Sequence, residues 1–167
     1  MSEGVEWTVH CCTLLAALPE GKNMTAARLA EFHAVPAPYL TKHLQALARA
    51  GILDSDSGPR GGFRLARPAP EITVLEVVEA IDGREPAFTC TEIRRRGPAG
   101  GLAASEYRKP CGIHALMDSA DAAWRSELAA TSVGDLALYV AATASPKAIE
   151  RAAAWFQQVS VRERKTS

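Results

Sequence analysis

The reading of this chain turns on residues 25–65, TAARLAEFHAVPAPYLTKHLQALARAGILDSDSGPRGGFRL. Thr25 is suited to cap a helix, and Ala26, Ala27, Leu29, Ala30 and Phe32 follow it in a short helical run. The segment His33-Ala34-Val35-Pro36 is long enough only for a turn. A second helix then runs from Pro38, near its first turn, to Ala50, with Leu40, Leu44 and Leu47 as its inward stripe and Gly51 at its C-terminal cap. Two short helices joined by a tight turn predict a helix-turn-helix. Directly behind it, Ile52-Leu53 and Phe63-Arg64-Leu65 read as short strands around a Gly- and Pro-containing tip over 54–62, the pattern of a wing.

Upstream, Val5, Val9, Cys12 and Ala16 fall on one helical stripe and Trp7, Cys11, Leu14 and Leu18 on its neighbour, which predicts a buried helix over 5–18. Downstream, Pro68, Ala69 and Pro70 break the chain, and Thr73 caps a helix carrying Val74, Leu75, Val77, Val78 and Ile81 that stops at Asp82-Gly83. Between Arg84 and Gly112 the periodicity disappears, and the glycines, prolines and Arg94-Arg95-Arg96 describe an irregular loop of unusual length. Ile113, Leu116 or Met117, Ala120, Trp124 and Leu128 then recur for about five helical turns, and so exposed a helix needs a partner surface. Ser145-Pro146 opens a last helix through Ile149, Ala153 and Phe156, fraying into a charged tail to which no function is assigned. The expected class is mainly α with a small β-wing. Its parts are a winged helix-turn-helix domain over 1–84, a loop over 85–112, a long helix and following segment over 113–144, and a C-terminal helix and tail over 145–167.

At 167 residues, 47% hydrophobic and 23% charged, with a mean hydropathy of -0.06, the composition lies outside the disordered, collagen-like and membrane classes. Nineteen Lys and Arg balance nineteen Asp and Glu, so no global basic field points to nucleic acid. Locally the balance shifts: from Thr25 to Arg67 six basic residues (Arg28, Lys42, Arg49, Arg60, Arg64, Arg67) face three acids (Glu31, Asp54, Asp56). The apolar run at 5–18 contains Glu6 and His10 and lacks a basic flank or a credible cleavage site, so the expected location is cytoplasmic. No Gly-x-Ser-x-Gly, phosphate loop or His-Glu-x-x-His appears, which argues against an enzyme.

Two sets of residues carry chemistry. On the second helix of the pair, Thr41, Lys42, Gln45 and Arg49 share the face opposite the leucines, a mix suited to base edges and phosphates in a major groove. Pro38 and Tyr39 at its start and Arg28 on the preceding helix complete that expected DNA surface. The second set is Cys90 and Cys111, which flank a loop with no core-forming pattern and so have little packing reason to be cysteine. Two thiolates do not complete a site, whereas an iron-sulfur cluster with two irons takes four protein ligands and accepts imidazole on one iron. His33, in the helix-turn-helix turn, and His114, three residues after Cys111, are the candidate imidazoles. Glu6, a carboxylate near the start of an apolar helix, is either a helix-dipole partner or a metal ligand. Cys11 and Cys12 read as small buried hydrophobes.

Together these residues resemble the bacterial winged-helix regulators of the IscR/NsrR/RsrR family, which bind an iron-sulfur cluster. The resemblance is carried by Val35 to Leu40, Arg49 to Leu53, Gly58 to Ala66 and Ile72 to Gly83, and it covers about residues 4 to 140 by pattern and order of elements. It implies a homodimeric transcription factor, a repressor, on an operator that is an inverted repeat, with the long helix that opens the 113–144 part as the dimerisation element and the cluster in the preceding loop. The family usually places three cysteines in this loop and here there are two, so a three-cysteine site is excluded. Residues 4–12 and 86–94 look closest to the redox-responsive RsrR branch, in which a 2Fe-2S cluster is held by two loop cysteines of one subunit and a Glu and a His of the other. That likeness implies Cys90 and Cys111 as one half and Glu6 with His33 as the other. A likeness to IscR implies His114 instead, and Glu6 tips the reading to His33. In the wing, Ser57 stands where other members carry Arg, and Arg60 occupies the tip, where it is expected to probe the minor groove. The alternatives are a cluster-free regulator using Cys90 and Cys111 as a thiol switch, and a zinc module with Cys90, Cys111 and His114 as ligands.

Overall fold

A computed structural model describes residues 1–158 apart from Glu20, Pro59, Arg60, Ala99 and Pro110. In chain order it holds α1 (Glu3–Ala16), α2 (Ala26–His33), α3 (Ala37–Arg49), β1 (Leu53–Asp56), β2 (Gly62–Leu65), α4 (Val74–Asp82), α5 (Gly112–Ala130), α6 (Val133–Thr143) and α7 (Pro146–Gln158). Single 3-10 turns lie at Ala69–Glu71, Ile93–Arg95 and Ala104–Tyr107. No helix among the described residues is long and apolar enough to cross a membrane. The chain divides into two compact units, one of Met1–Gly83 with the chain from Leu128 on, the other of Arg84–Glu127.

The core of the first unit is the leucine stripe of α3. Leu40, Leu44 and Leu47 are fully buried, packed in one cluster with Cys11 and Cys12 of α1, Leu29 of α2, Ile52, Ile72 and Val77 of α4. Thr25 caps α2, its hydroxyl accepting from the Arg28 N–H at 3.3 Å. Ala34 ends that helix in the left-handed conformation, φ 54°, and Val35 N–H returns to the Ala30 carbonyl at 3.0 Å, which turns the chain sharply into α3. β1 and β2 pair antiparallel from Leu53↔Leu65 to Asp56↔Gly62. Met24 adds one rung on the far side of β2, exchanging backbone bonds of 2.9 and 2.8 Å with Phe63. Gly62 is required there, because a Cβ would lie 2.8 Å from the Met24 carbonyl carbon and oxygen.

Three expectations change. α1 ends at Ala16, two residues short of the predicted Leu18. The wing tip is narrower than 54–62, because Asp54 to Asp56 join β1. Arg64 on β2 reaches across to Asp54 and Asp56 at 2.6 Å each, so two charges of the expected tip help stitch the strands together. The segment after the long helix is itself a helix, α6. Ser132 and Asp135 form a reciprocal capping box that starts it: the Asp135 N–H donates to the Ser132 hydroxyl at 3.0 Å, and the Ser132 N–H donates to the Asp135 carboxylate at 2.9 Å. Val74 N–H donates to the Thr131 carbonyl at 2.9 Å and Val133 N–H to the Ile72 carbonyl at 2.8 Å, and Val133 is fully buried. The first unit is thereby completed by chain that follows the loop.

In the second unit, Arg125 ties α5 to the incoming loop, donating to Asp121 at 2.7 Å and to the Arg84 and Glu85 carbonyls at 3.0 and 3.3 Å. Tyr107 donates to the Arg94 carbonyl at 3.3 Å, and the guanidinium groups of Arg94 and Arg95 lie 5.7 and 5.3 Å from its ring centre. These contacts give an otherwise irregular segment a defined course.

The Asp135 carboxyl is held below the usual aspartate range, first by the Ser132 hydroxyl and then by the Ser132 N–H. A carboxyl lowered on folding stabilises above its unfolded value and stops doing so as pH falls through the folded one. Ser132→Ala is therefore expected to lower stability in urea unfolding at pH 7 through loss of the cap. Its difference from the wild type should shrink below about pH 4; a pH-independent difference would contradict this capping role.

Candidate functional site

α3 presents Pro38, Tyr39, Lys42, Gln45 and Arg49 to solvent, opposite its leucines. Thr41 is half-buried, its hydroxyl donating to the Ala37 carbonyl at 2.7 Å, so it stands less free than the sequence suggests. Arg28 is exposed and paired with Glu31 at 2.6 Å. Arg60 lies outside the described residues. The exposed Tyr39 is steadied by two edge-on rings, Trp7 of α1 at 5.9 Å and His43 of α3 at 5.0 Å. A tyrosine, a lysine, a glutamine and an arginine on one exposed helix offer donors to phosphates and to the acceptor edges of bases.

Within Arg84–Glu127, Cys90 is half-buried and accepts from the Glu92 N–H at 3.4 Å, a contact set up by the left-handed backbone of Glu92, φ 50°. Cys111 directly precedes α5, and the backbone N–H groups of His114 and Ile113 bond its sulfur. Those bonds foremost, with the Arg94 charge nearby, hold its thiol below the ordinary range. Arg94 is fixed by Glu92 through bonds of 2.5 and 2.8 Å and feels the charge of both sulfurs. Neither cysteine is in a disulfide. His114 points its Nε2 at Asp118, 3.3 Å away, while its Nδ1 is buried without a partner. Cys11 and Cys12 are of another kind: burial pushes the Cys11 thiol up to about 12 and the Cys12 thiol further still, as befits core residues.

In the first unit, Glu6 is exposed on α1, and His10 lies four residues on, hence on the same helical face. Both line an open groove of about 490 Å³ whose apolar wall includes Val9 and Val78. The His10 ring lies 5.7 Å from that of His33. His33 closes α2 with its Nε2 buried and unpartnered, and burial foremost, then the His10 charge, lowers its pKa. A neutral imidazole with a free nitrogen is the form that ligates a metal. Sequence reading selected Glu6 and His33 but passed over His10, whose signal was the Glu-x-x-x-His spacing. Among the described residues, no three His, Cys, Asp or Glu side chains come together within one chain as a metal site.

The Rrf2 family, described as an iron-dependent transcriptional regulator family, matches residues 1–138. A candidate HTH-type transcriptional regulator of Mycobacterium tuberculosis is 31% identical over 140 residues, 82% of this chain and 80% of that protein. The HTH-type transcriptional regulator IscR of Cereibacter sphaeroides is 37% identical over 59 residues, 35% of this chain and 38% of that protein. The chain spans 54% of the length of a further relative, YwgB of Bacillus subtilis. Among solved structures, IscR of T. potens superposes with a TM-score of 0.65 at 17% identity, covering 87% of this chain and 91% of that one. CymR, the global cysteine regulator of B. subtilis, superposes with a TM-score of 0.63 at 19% identity, covering 83% and 96%. At such identities the superpositions establish the winged-helix fold.

The four cysteines should separate by reactivity. In folded, metal-free protein at neutral pH, iodoacetamide followed by peptide mapping is expected to label Cys111 and Cys90, with Cys11 and Cys12 modified only after denaturation. Equal labelling of all four in the folded state would contradict the assignment of the first-helix pair to the core.

Proposed function

The chain belongs to the Rrf2 family, and on that premise we propose that it is a homodimeric transcriptional repressor whose affinity for an inverted-repeat operator is set by a 2Fe-2S cluster held between subunits. The observation that carries the reading is the buried, unpartnered Nε2 of a neutral His33 at the end of α2. Cys111 supports it from the other side: a thiol lowered by two backbone N–H donors is already disposed to the deprotonated form that binds iron. Cys90 and Cys111 would hold the cluster from one subunit, Glu6 and an imidazole from the other. His10 shares the groove with Glu6 and its ring lies 5.7 Å from that of His33, and of these two imidazoles His33 is the one with the orphaned nitrogen. When bound, such a cluster supplies a one-electron redox centre, and a mixed set of thiolate, imidazole and carboxylate ligands raises its potential above that of four thiolates.

The chain's own residues supply the rest. His33 closes α2 and Ala37 opens α3, so a group held by His33 sits at the turn that aims the reading helix. Dimerisation through α5 is supported by its exposed apolar residues Ile113, Leu116, Met117 and Trp124. Tyr39, Lys42, Gln45 and Arg49, with Arg28, Pro38 and Thr41, face the operator.

Anaerobically purified protein should be coloured, contain iron and acid-labile sulfide in equal amounts, and bleach reversibly with dithionite. Cys90→Ser and Cys111→Ser should abolish the colour, and His33→Ala should abolish or shift it. An unchanged His33→Ala spectrum would pass the imidazole role to His10 or His114, which His10→Ala and His114→Ala separate. Protein that stays colourless after reconstitution would overturn the cluster and favour the thiol switch, to which the lowered Cys111 thiol is also suited.

A further inference from the structure

Gly4 lies buried in the first turn of α1, and the ring of His43, on α3, occupies the space where a side chain would be. A Cβ at position 4 would stand 2.5 Å from His43 Cε1, 2.7 Å from Nε2 and 3.0 Å from Nδ1. The ring has little room to retreat, since Tyr39 lies 5.0 Å away on its own helix and Trp7 of α1 lies 6.4 Å away. Its Nε2 is buried without a partner, which makes His43 a poor choice for packing alone. Glycine is likewise a poor helix former, so local propensity favours alanine at position 4. Both residues run against local preference at the one place where they meet. The leucines of α3 anchor its inner edge, and the Gly4–His43 contact braces it from α1 on the side of Tyr39.

We propose that the close approach of Gly4 to His43 is a positioning element for DNA reading, fixing how α3 is rotated so that Tyr39 meets the operator. This rests on the operator-binding reading above. Neither residue is expected to touch DNA or a cluster; they act through Tyr39.

The test is a double-variant cycle on full-length protein. Duplexes selected by the wild type from a random pool serve as the DNA, and affinity is read by fluorescence anisotropy beside helix content and bound iron. Gly4→Ala and His43→Ala are each expected to bind about tenfold more weakly with helix content and iron retained, and the double variant to bind no worse than the weaker single variant, because both changes remove the same contact. Helix propensity alone predicts the opposite sign for Gly4→Ala, a more stable protein with unchanged affinity. Wild-type affinity in either single variant, or losses that add in the double variant, overturns the inference alone. Should Gly4→Ala fail to fold, His43→Ala carries the test: weakened binding with helix content and iron retained supports the proposal, and wild-type affinity overturns it. A wild type that selects no duplex overturns the regulator reading and this inference with it.

Discussion

The structure depends on three fully buried leucines. Leu40, Leu44 and Leu47 hold one edge of α3 against α1, α2 and α4, each contributing about 1.5–3 kcal/mol of burial. Because that edge is committed inward, Tyr39, Lys42, Gln45 and Arg49 are committed outward, and the reading surface is fixed by the same interaction that stabilises the domain. α1 shares in this twice, through Cys11 and Cys12 in the core and through Gly4 against His43. The helix that carries Glu6 and His10 is thus packed directly on the helix that would meet DNA.

The two proposed halves of the cluster site are chemically unlike. The loop half offers sulfur with nearby cations: Cys111 at the start of α5, Cys90 on the turn before Glu92, and Arg94 close to both. The other half offers a carboxylate and imidazole nitrogens, Glu6 and His10 on α1 and His33 at the end of α2.

The helix-turn-helix and wing were legible because their signals are local: Thr25 as a cap, a four-residue turn, leucines at helical spacing, and glycines around a hairpin tip. The expected tip is too wide because Asp54 and Asp56 count as loop charges until their pairing with Arg64 across the strands is seen. α6 escaped although Ser132-Val133-Gly134-Asp135 carries a capping box, since the preceding apolar pattern was read through it. Cys90 and Cys111 stood out because nothing in the loop explains a cysteine. His10 did not, because one polar residue in an apolar helix reads as chance until the fold sets it beside Glu6 and His33.

The return of the chain at Thr131–Val133 onto Ile72 and Val74 bears on how the protein is made. A growing chain delivers the whole helix-turn-helix and wing well before Val133, and at about 5–20 residues per second the interval lasts several seconds. During that time Ile72 lacks the residue that covers it in the finished fold, and the backbone groups of Ile72 and Val74 wait for their partners. The first unit is therefore completed only after the loop bearing Cys90 and Cys111 has been synthesised, so a nascent chain stalled before α6 would carry that unit unfinished.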